Sequence, residues 1–223
     1  MIKIDDRSNI HCMQSVPPPR RGRGRPPRQI GDQHETRVAL LRAGVEILTE
    51  KGFSATGIDE ILRRVGVPKG SFYHYFGSKE AFGVELIENY HNYFARKLDR
   101  WLLDESCPAL ERIANFVADA RTGMERHGFR RGCVIGNLGQ EMGALPEAYR
   151  EKLVGVFSDW ESRLTNCLEI ARAEGAIAGT TDCVAQARFF WIGWEGAVLR
   201  AKLELSAAPL DIFAEGFFAG LQR

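Results

Sequence analysis

The sequence lacks any apolar run of the roughly 18 to 20 residues that a membrane-spanning helix needs. Its start also lacks the apolar stretch of a secretory signal, because charged residues such as Asp5 and Asp6 closely follow Met1. These two absences predict a cytoplasmic protein without a membrane partner. No segment alternates apolar and polar residues in the manner of a strand, so the fold class that we expect is all-α.

Cysteine is scarce as well, with five residues in a chain of 223. They are widely spaced, without a CxxC pair and without histidine at zinc-binding spacing: Cys12, Cys107, Cys133, Cys167 and Cys183. This pattern suggests neither a disulfide framework nor a metal site, and we expect no cofactor. The simplest interpretation of each is a free, mostly buried thiol in a reducing compartment.

The chain carries almost no net charge, with 30 Lys and Arg against 29 Asp and Glu. The charges are nevertheless unevenly distributed. Residues 20–80 hold 12 Lys and Arg and 7 Asp and Glu, a net charge of +5, whereas residues 81–223 hold 16 and 20, a net charge of −4. This asymmetry predicts a nucleic-acid footprint in the N-terminal part and a separate, mildly acidic body.

Residues 1–31 form a segment rich in Pro, Gly and Arg, which cannot bury enough apolar surface to order itself. Within it, Arg23-Gly24-Arg25-Pro26 resembles an AT-hook, whose arginines lie in a narrow A·T-rich minor groove. Together with Arg21, these arginines could contact DNA as a flexible arm. A solvated basic tail or an expression remnant is the alternative.

Two short helices around a tight turn are predicted between Phe53 and Lys79. The first carries apolar residues at helical spacing and ends at Gly66, where a left-handed residue is needed. The second begins at Pro68, and its residues are polar, small or aromatic with polar tips, a surface unsuited to a core but suited to base edges and phosphates. A bracing helix precedes both, from a possible capping box at Asp32 to Gly52.

The spacing of ten residues in this region resembles the helix-turn-helix of the TetR family: Gly52, Phe53, Thr56, Ile61, Gly66, Val67, Gly70, Tyr73, Phe76 and Lys79. Two positions depart from the family pattern. Gly57 stands where Ser or Thr is usual, which would move the N-cap to Thr56, and Leu62 stands where Ala is usual. An ordinary helical hairpin without nucleic-acid binding is the alternative.

The resemblance implies a double-stranded DNA operator as partner, a DNA-binding domain over residues 32–77 and a ligand-sensing and dimerisation domain over residues 78–223. The DNA-binding residues that it implies are Thr56, Lys69, Gly70, Ser71, Tyr73, His74, Tyr75 and Lys79. A helix capped by Ser78 and running to Leu103 would be the lever between the domains.

The C-terminal half is predicted to contain helices only, with long ones from near Pro146 and from Asp182 to Leu205. The second of these is apolar nearly all round, which predicts burial on most sides. With the last helix, from Pro209, it carries more aromatic surface than one chain can hide: Phe189, Phe190, Phe213, Phe217 and Phe218. The family resemblance independently implies a homodimer built on these helices.

Residues 127–143 and 190–205 are similar to the TetR subgroup that responds to acrylate and related electrophiles. In the first segment, Arg130 and Arg131 precede Cys133 at the start of a short helix, which predicts a stabilised thiolate. The arginines could also hold a carboxylate. A covalent sensor, a reversible anion pocket and a merely buried cysteine all remain open, and nearby His127 is either a titrating pocket residue or structural.

The second segment contains Trp191, Trp194 and Glu195, which either wall a ligand cavity or fill a dimer core. A carboxylate in so apolar a helix needs a partner, and Arg188, Lys202 or a ligand could supply it.

These observations predict a repressor released from a palindromic operator by a small-molecule inducer, acrylate or a related carboxylate or electrophile. One alternative is a fatty acyl or acyl-CoA ligand bound noncovalently. A more remote one is an enzyme with Cys133 as nucleophile, but the sequence offers no orienting group for a general base, so we expect no catalytic residue.

Overall fold

The computed structural model describes residues 30–221, and the predicted arm with Arg21, Arg23 and Arg25 lies outside them. Across this described range the chain folds into helices without a strand, which confirms the all-α prediction. The helices are α1 Ile30–Lys51, α2 Ile58–Val65, α3 Lys69–Phe76, α4 Lys79–Leu102, α5 Ala109–Glu125, α6 Val134–Gln140, α7 Ala148–Ala173, α8 Cys183–Glu204 and α9 Ala208–Leu221. No helix in this range is long and apolar enough to cross a bilayer.

Helices α1 to α3 form the predicted three-helix unit. Gly66 ends α2 with φ of 73°, and its N–H donates to Leu62 O at 2.8 Å, as a left-handed C-cap requires. Two cap predictions are wrong. The N-cap of α2 is Gly57 and not Thr56, and α1 begins at Ile30, so Asp32 lies inside the helix.

Helix α3 differs from the prediction that its surface would not build a core. Phe72 and Phe76 are 0% and 4% exposed and pack against Phe82 of α4, with ring centroids 5.1 and 4.9 Å away. Their spacing of four residues places both on one side of the helix. This inward side anchors α3 and leaves its polar side free.

Helix α4 joins the three-helix unit to the rest of the chain. Ser78 is its N-cap as predicted, because Ser78 Oγ accepts from Ala81 N–H at 3.0 Å. Helix α4 contacts α1 and α3 of this unit, and it also contacts α5, α6 and α7. Helix α4 therefore contacts both the three-helix unit and the rest of the chain.

The body of α5, α7, α8 and α9 has an aromatic core that includes Phe116, Trp160, Phe190 and Trp191, all at most 2% exposed. The prediction that α8 is buried on most sides is wrong for the single chain. One of its faces is open, with Phe189 56%, Ile192 70%, Leu199 38% and Leu203 70% exposed. Nor do all five C-terminal phenylalanines remain exposed, because Phe190 and Phe217 face the internal core.

Candidate DNA-binding surface and ligand pocket

The outer side of α3 presents five of the eight helix-turn-helix residues that the resemblance implies. Lys69, Gly70, Tyr73 and His74 are exposed, and Ser71 is half-buried beside them. Tyr75 is also half-buried, towards the core side. Hydroxyls, an amine and an imidazole along one exposed helix face can reach phosphates and base edges.

The structure gives Thr56 and Lys79 another role. Thr56 is 1% exposed, and its hydroxyl donates to Gly52 O at 2.6 Å. Lys79 Nζ donates to Phe53 O at 3.0 Å and lies 4.6 Å from the centroid of the Phe53 ring. Both side chains stabilise the turn after α1, so the prediction that they point towards DNA is wrong for the free protein.

A cavity of about 610 Å³ lies below the three-helix unit, where α1, α4, α5 and α8 meet the loop that leads into α6. All of these elements contribute to its wall, which combines apolar and polar side chains. The residues include Arg42, Val45, Glu46 and Thr49 of α1, Tyr90, Tyr93, Phe94, Arg96 and Lys97 of α4, Met124 of α5, His127, Arg131 and Cys133 of the loop, and Trp194, Glu195 and Val198 of α8. A ligand in this cavity would touch the three-helix unit and the C-terminal body simultaneously.

Tyr90, Cys133 and Glu195 form a polar cluster in the wall, in which Tyr90 and Cys133 are buried and Glu195 is half-buried, and no ion pair joins Glu195 to a cation of the described residues. Burial raises the pKa of the Glu195 carboxyl to about 7, and the nearby Cys133 thiol offsets part of this rise. Burial likewise raises the pKa of Tyr90. Gly136 faces the same carboxyl, and a Cβ at that position would collide with Glu195 Oε2. The cluster is therefore tightly packed, with Tyr90 and Cys133 uncharged and Glu195 about half-protonated near neutral pH.

The predicted stabilised thiolate is contradicted. Burial, followed by the nearby Glu195 charge, raises the pKa of Cys133 well above its ordinary value, and the side chain is 8% exposed. Arg130 is exposed and does not line the cavity, while Arg131 Nε donates to Glu50 at 2.9 Å. Cys133 Sγ instead accepts from Gly136 N–H at 3.4 Å as the N-cap of α6.

The two predicted partners of Glu195 are engaged elsewhere. Arg188 lies 3.9 Å from Glu161, and Lys202 Nζ donates to Thr49 O at 3.0 Å. Glu195 is therefore accommodated by a raised pKa rather than by a cation, which the sequence pattern did not reveal.

The two tryptophans separate into different environments. Trp194 lines the cavity, whereas Trp191 packs in the core with its ring 5.0 Å from that of Trp160. His127 is exposed at the cavity wall.

Sequence reasoning missed the contribution of α4 to the cavity. Tyr90, Tyr93, Phe94 and Lys97 recur at intervals of three and four, so they lie on one helix face. That spacing was available as a signal, but it is equally typical of a core stripe. Arg96, which also lines the cavity, has no ion-pair partner among the described residues. The same range contains no group of three or more potential metal ligands.

Comparison with known proteins agrees with this architecture. The family model "Bacterial regulatory proteins, tetR family" matches residues 40–86, and "Tetracyclin repressor-like, C-terminal domain" matches residues 109–217. The transcriptional regulator AcuR of Cereibacter sphaeroides is 53% identical over 204 residues, 91% of this chain and 92% of that protein. The HTH-type transcriptional repressor NemR of Escherichia coli K12 is 32% identical over 80% of this chain and 90% of its own.

Solved structures show the same relationship. The crystal structure of a regulatory protein TetR from Rhodobacter sphaeroides has a TM-score of 0.81 at 53% identity, covering 84% of this chain and 97% of that one. Reduced NemR from E. coli has a TM-score of 0.76 at 31% identity, with coverages of 82% and 95%. The chain is therefore a member of the TetR family of bacterial transcriptional regulators, with the helix-turn-helix in its N-terminal part.

Proposed function

We propose that the protein is a cytoplasmic repressor that binds a palindromic operator as a homodimer and is released when a small molecule occupies the cavity. The observation that carries this proposal is the shared wall of the cavity, which includes α1 of the DNA-binding unit and α4, α5 and α8 of the body. An inducer shifts the populations of the operator-binding and the released conformer if its affinity for the two differs. Operator binding then lowers the affinity for the inducer by the same factor by which the inducer lowers the affinity for the operator.

The open face of α8 supports the homodimer. Phe189, Ile192, Leu199 and Leu203 are exposed, and their numbers fit alternating steps of three and four residues with Gly196 between them. Such a seam packs against another helix. A two-fold axis that relates two copies of this seam would present two α3 helices to successive major grooves, about 34 to 36 Å apart.

Replacement of Ile192, 70% exposed in the single chain, by Asp tests the dimer. A charge at the seam should convert the protein to monomer in sedimentation equilibrium, because an unpaired buried charge costs several kcal/mol. Arg188→Asp, on the same helix but paired with Glu161, is the control and should leave the dimer intact. A dimer that tolerates Asp at position 192 would contradict this interface.

For the inducer we propose a small carboxylate such as acrylate, bound reversibly. Arg96 is a cation without an ion-pair partner in the described chain, and a neutral Glu195 acid can donate a hydrogen bond to a carboxylate. The raised pKa of the Cys133 thiol disfavours covalent addition, because the thiolate is the nucleophile.

A longer acyl ligand, such as a fatty acyl or acyl-CoA group, is the second candidate, and the cavity size favours it. At about 610 Å³, the cavity falls within the range of roughly 300 to 1,000 Å³ that is typical of drug-sized ligands. The partly apolar wall, with Val45, Phe94, Met124 and Val198, would suit an acyl chain.

Operator release separates these inducers. A palindromic fragment from upstream of the protein's own gene is labelled, and fluorescence anisotropy is followed as acrylate, propionate or an acyl-CoA is added, with intact mass recorded on the same samples. Release by acrylate without a mass change supports the reversible carboxylate pocket. An adduct on Cys133 would contradict it, and release by acyl-CoA alone would favour the second candidate.

We also propose that Arg21, Arg23 and Arg25 contact the minor groove beside the operator. A basic arm beside a major-groove helix can add phosphate contacts and sense groove width. A chain that lacks residues 1–28 should bind the operator more weakly and with a shallower salt dependence. Unchanged affinity and salt dependence would contradict a role for the arm.

A further inference from the structure

Two indole N–H groups in the core of the C-terminal body have no hydrogen-bond partner among the described residues. They are Trp160 Nε1 and Trp191 Nε1, and the two side chains are 0% and 2% exposed. An indole nitrogen can only donate, and a buried donor without an acceptor costs about 1 to 3 kcal/mol. Each of these N–H groups would therefore be stabilised by any acceptor that can reach it.

The surroundings of the two indoles decide which kind of acceptor suits them. The two rings lie side by side, with centroids 5.0 Å apart. Their other ring contacts are all aromatic: Phe94 and Phe157 for Trp160, and Phe94, Phe116 and Phe190 for Trp191. A charged group among these rings would lose its hydration without a counter-charge, whereas an uncharged carbonyl oxygen can accept a hydrogen bond there. The site therefore favours a neutral oxygen acceptor over an anion.

Phe94 of α4 separates the two indoles from the cavity. It lines the cavity wall, and its ring centroid lies 4.4 Å from that of Trp160 and 6.1 Å from that of Trp191. The Phe94 side chain is half-buried, and the cavity of about 610 Å³ gives its ring room on the side away from the indoles. A change to another staggered χ1 rotamer can therefore move this ring into the cavity and open a path to the indoles.

We propose that Phe94 covers an inner subsite of the cavity, in which the Trp160 and Trp191 N–H groups donate to an uncharged carbonyl oxygen of a ligand. The ligand class is a ketone, aldehyde, ester or thioester. This subsite differs from the one proposed for a carboxylate, because Arg96 and Glu195 line the cavity itself. The inference rests on the proposed function only in taking this cavity as the place where a ligand enters.

The first experiment observes the indole N–H groups in the full chain. The chain contains four tryptophans, so nitrogen-15 labelling gives four indole signals, which single Trp→Phe variants assign. Acetophenone is the probe, and cumene, of nearly the same shape but without oxygen, is the control ligand. Acetophenone should shift the Trp160 and Trp191 N–H protons downfield, and cumene should not. The Trp101 signal should not respond, because its N–H already donates to Asp119 Oδ2 at 3.1 Å.

Trp160→Phe and Trp191→Phe each keep an aromatic ring and remove the donor. Either substitution should lower the ratio of acetophenone affinity to cumene affinity about threefold to tenfold, as expected for one lost hydrogen bond. The ratio cancels effects of ring size and packing, so a purely structural role of the indoles would leave it unchanged and would contradict the proposal. Trp101→Phe is the matched control and should not alter the ratio. Titrations followed by the same NMR signals, and by ligand signals where the indole is removed, give both affinities.

Phe94→Ala tests the cover. The Trp160 and Trp191 N–H groups should exchange with solvent faster in this variant than in the native chain, because the ring between them and the cavity is gone. Tyr93→Ala is the matched control, since Tyr93 lines the same cavity from the same helix but is 56% exposed and packs its ring against Tyr90. This control should leave both exchange rates unchanged. Equal exchange rates in Phe94→Ala and the native chain would show that Phe94 is not the cover.

The proposal is overturned if acetophenone does not bind, or if it binds without shifting the Trp160 and Trp191 signals. An internal water that holds both N–H groups would give the second result. Should Phe94→Ala fail to fold, the shifts in the native chain and the affinity ratios still decide. These measurements use no DNA, so a failure of the protein to select an operator would refute the proposed function and leave the subsite standing.

Discussion

The outer face of α3 and the inner cavity wall place polar residues in opposite environments. Lys69 and His74 are open to solvent, where charge attracts phosphates and remains hydrated at little cost. Tyr90 and Cys133 are buried and Glu195 is half-buried, and burial raises the pKa of each. The outer face of α3 can therefore carry hydrated charge, whereas this cluster in the cavity wall offers hydrogen-bonding groups, one of which, Glu195, changes its protonation near neutral pH.

Substitutions on the buried and the exposed side of α3 should differ most in their effects on stability. Phe72→Ala should lower the free energy of unfolding by about 3 to 5 kcal/mol, because a fully buried ring leaves a cavity. Tyr73→Ala, next in sequence but 47% exposed, should change stability by less than about 1 kcal/mol and should weaken operator binding. Chemical denaturation and anisotropy measure the two effects. Equal destabilisation by both would contradict the assignment of the sides.

Glu195 should make stability depend on pH. Its pKa of about 7 exceeds the ordinary value of 4.5, so between these values the native state holds the proton that the unfolded state has released. Stability should then fall as pH rises from 4.5 to 7, by up to about 3 kcal/mol. In Glu195→Gln this loss of stability should disappear, so at pH 8 the ratio of stability to its value at pH 4.5 should be higher in the variant than in the native chain. Denaturation at a series of pH values gives the unfolding free energy of both proteins. Parallel curves of this free energy against pH would contradict a partly buried carboxyl without a paired cation.

Lys69 and Lys79 provide a matched pair of cations. Lys69 is exposed beside Asp59 at 3.3 Å, and Lys69→Ala should reduce the slope of log affinity against log salt by about 1, as expected for one lost phosphate contact. Lys79 Nζ donates a hydrogen bond to Phe53 O, so Lys79→Ala should leave the slope of log affinity against log salt unchanged and should lower stability modestly. Anisotropy titrations from low to high salt measure both slopes. A reduced slope in the Lys79 variant alone would reverse the assignment.

Cys133→Ser should have the smallest effect. The serine hydroxyl can still cap α6 and donate to Glu195, so release of the operator by acrylate should stay within about twofold of the native response. Dose–response curves by anisotropy make the comparison. Loss of the response to acrylate in this variant would favour a covalent sensor.

The DNA-binding unit could be predicted from sequence because its signals are local. Gly66, Pro68 and the Ser78 cap define helix ends within a few residues of where the structure places them. The errors concern side-chain direction, since Thr56 and Lys79 turn inward to backbone carbonyls. Propensity and spacing do not specify which long-range carbonyl a flexible lysine will reach.

The cavity was less predictable because its residues come from distant segments. Cys133 and Glu195 were recognised as candidates, but the burial that raises the pKa of each arises where segments 62 positions apart in the printed sequence meet. Adjacent arginines suggested a thiolate, although Arg131 is bound to Glu50 of α1. Long-range contacts outweighed the local charge pattern.

Thermodynamic linkage tests the central claim, that the cavity and the DNA-binding surface are coupled, most directly. Calorimetry would measure the affinity of acrylate for the free protein and for its operator complex, and anisotropy would measure operator affinity with and without acrylate. The account predicts that acrylate binds the operator complex more weakly, by the same factor by which it weakens operator binding. Equal acrylate affinity for the free and the DNA-bound protein would contradict it.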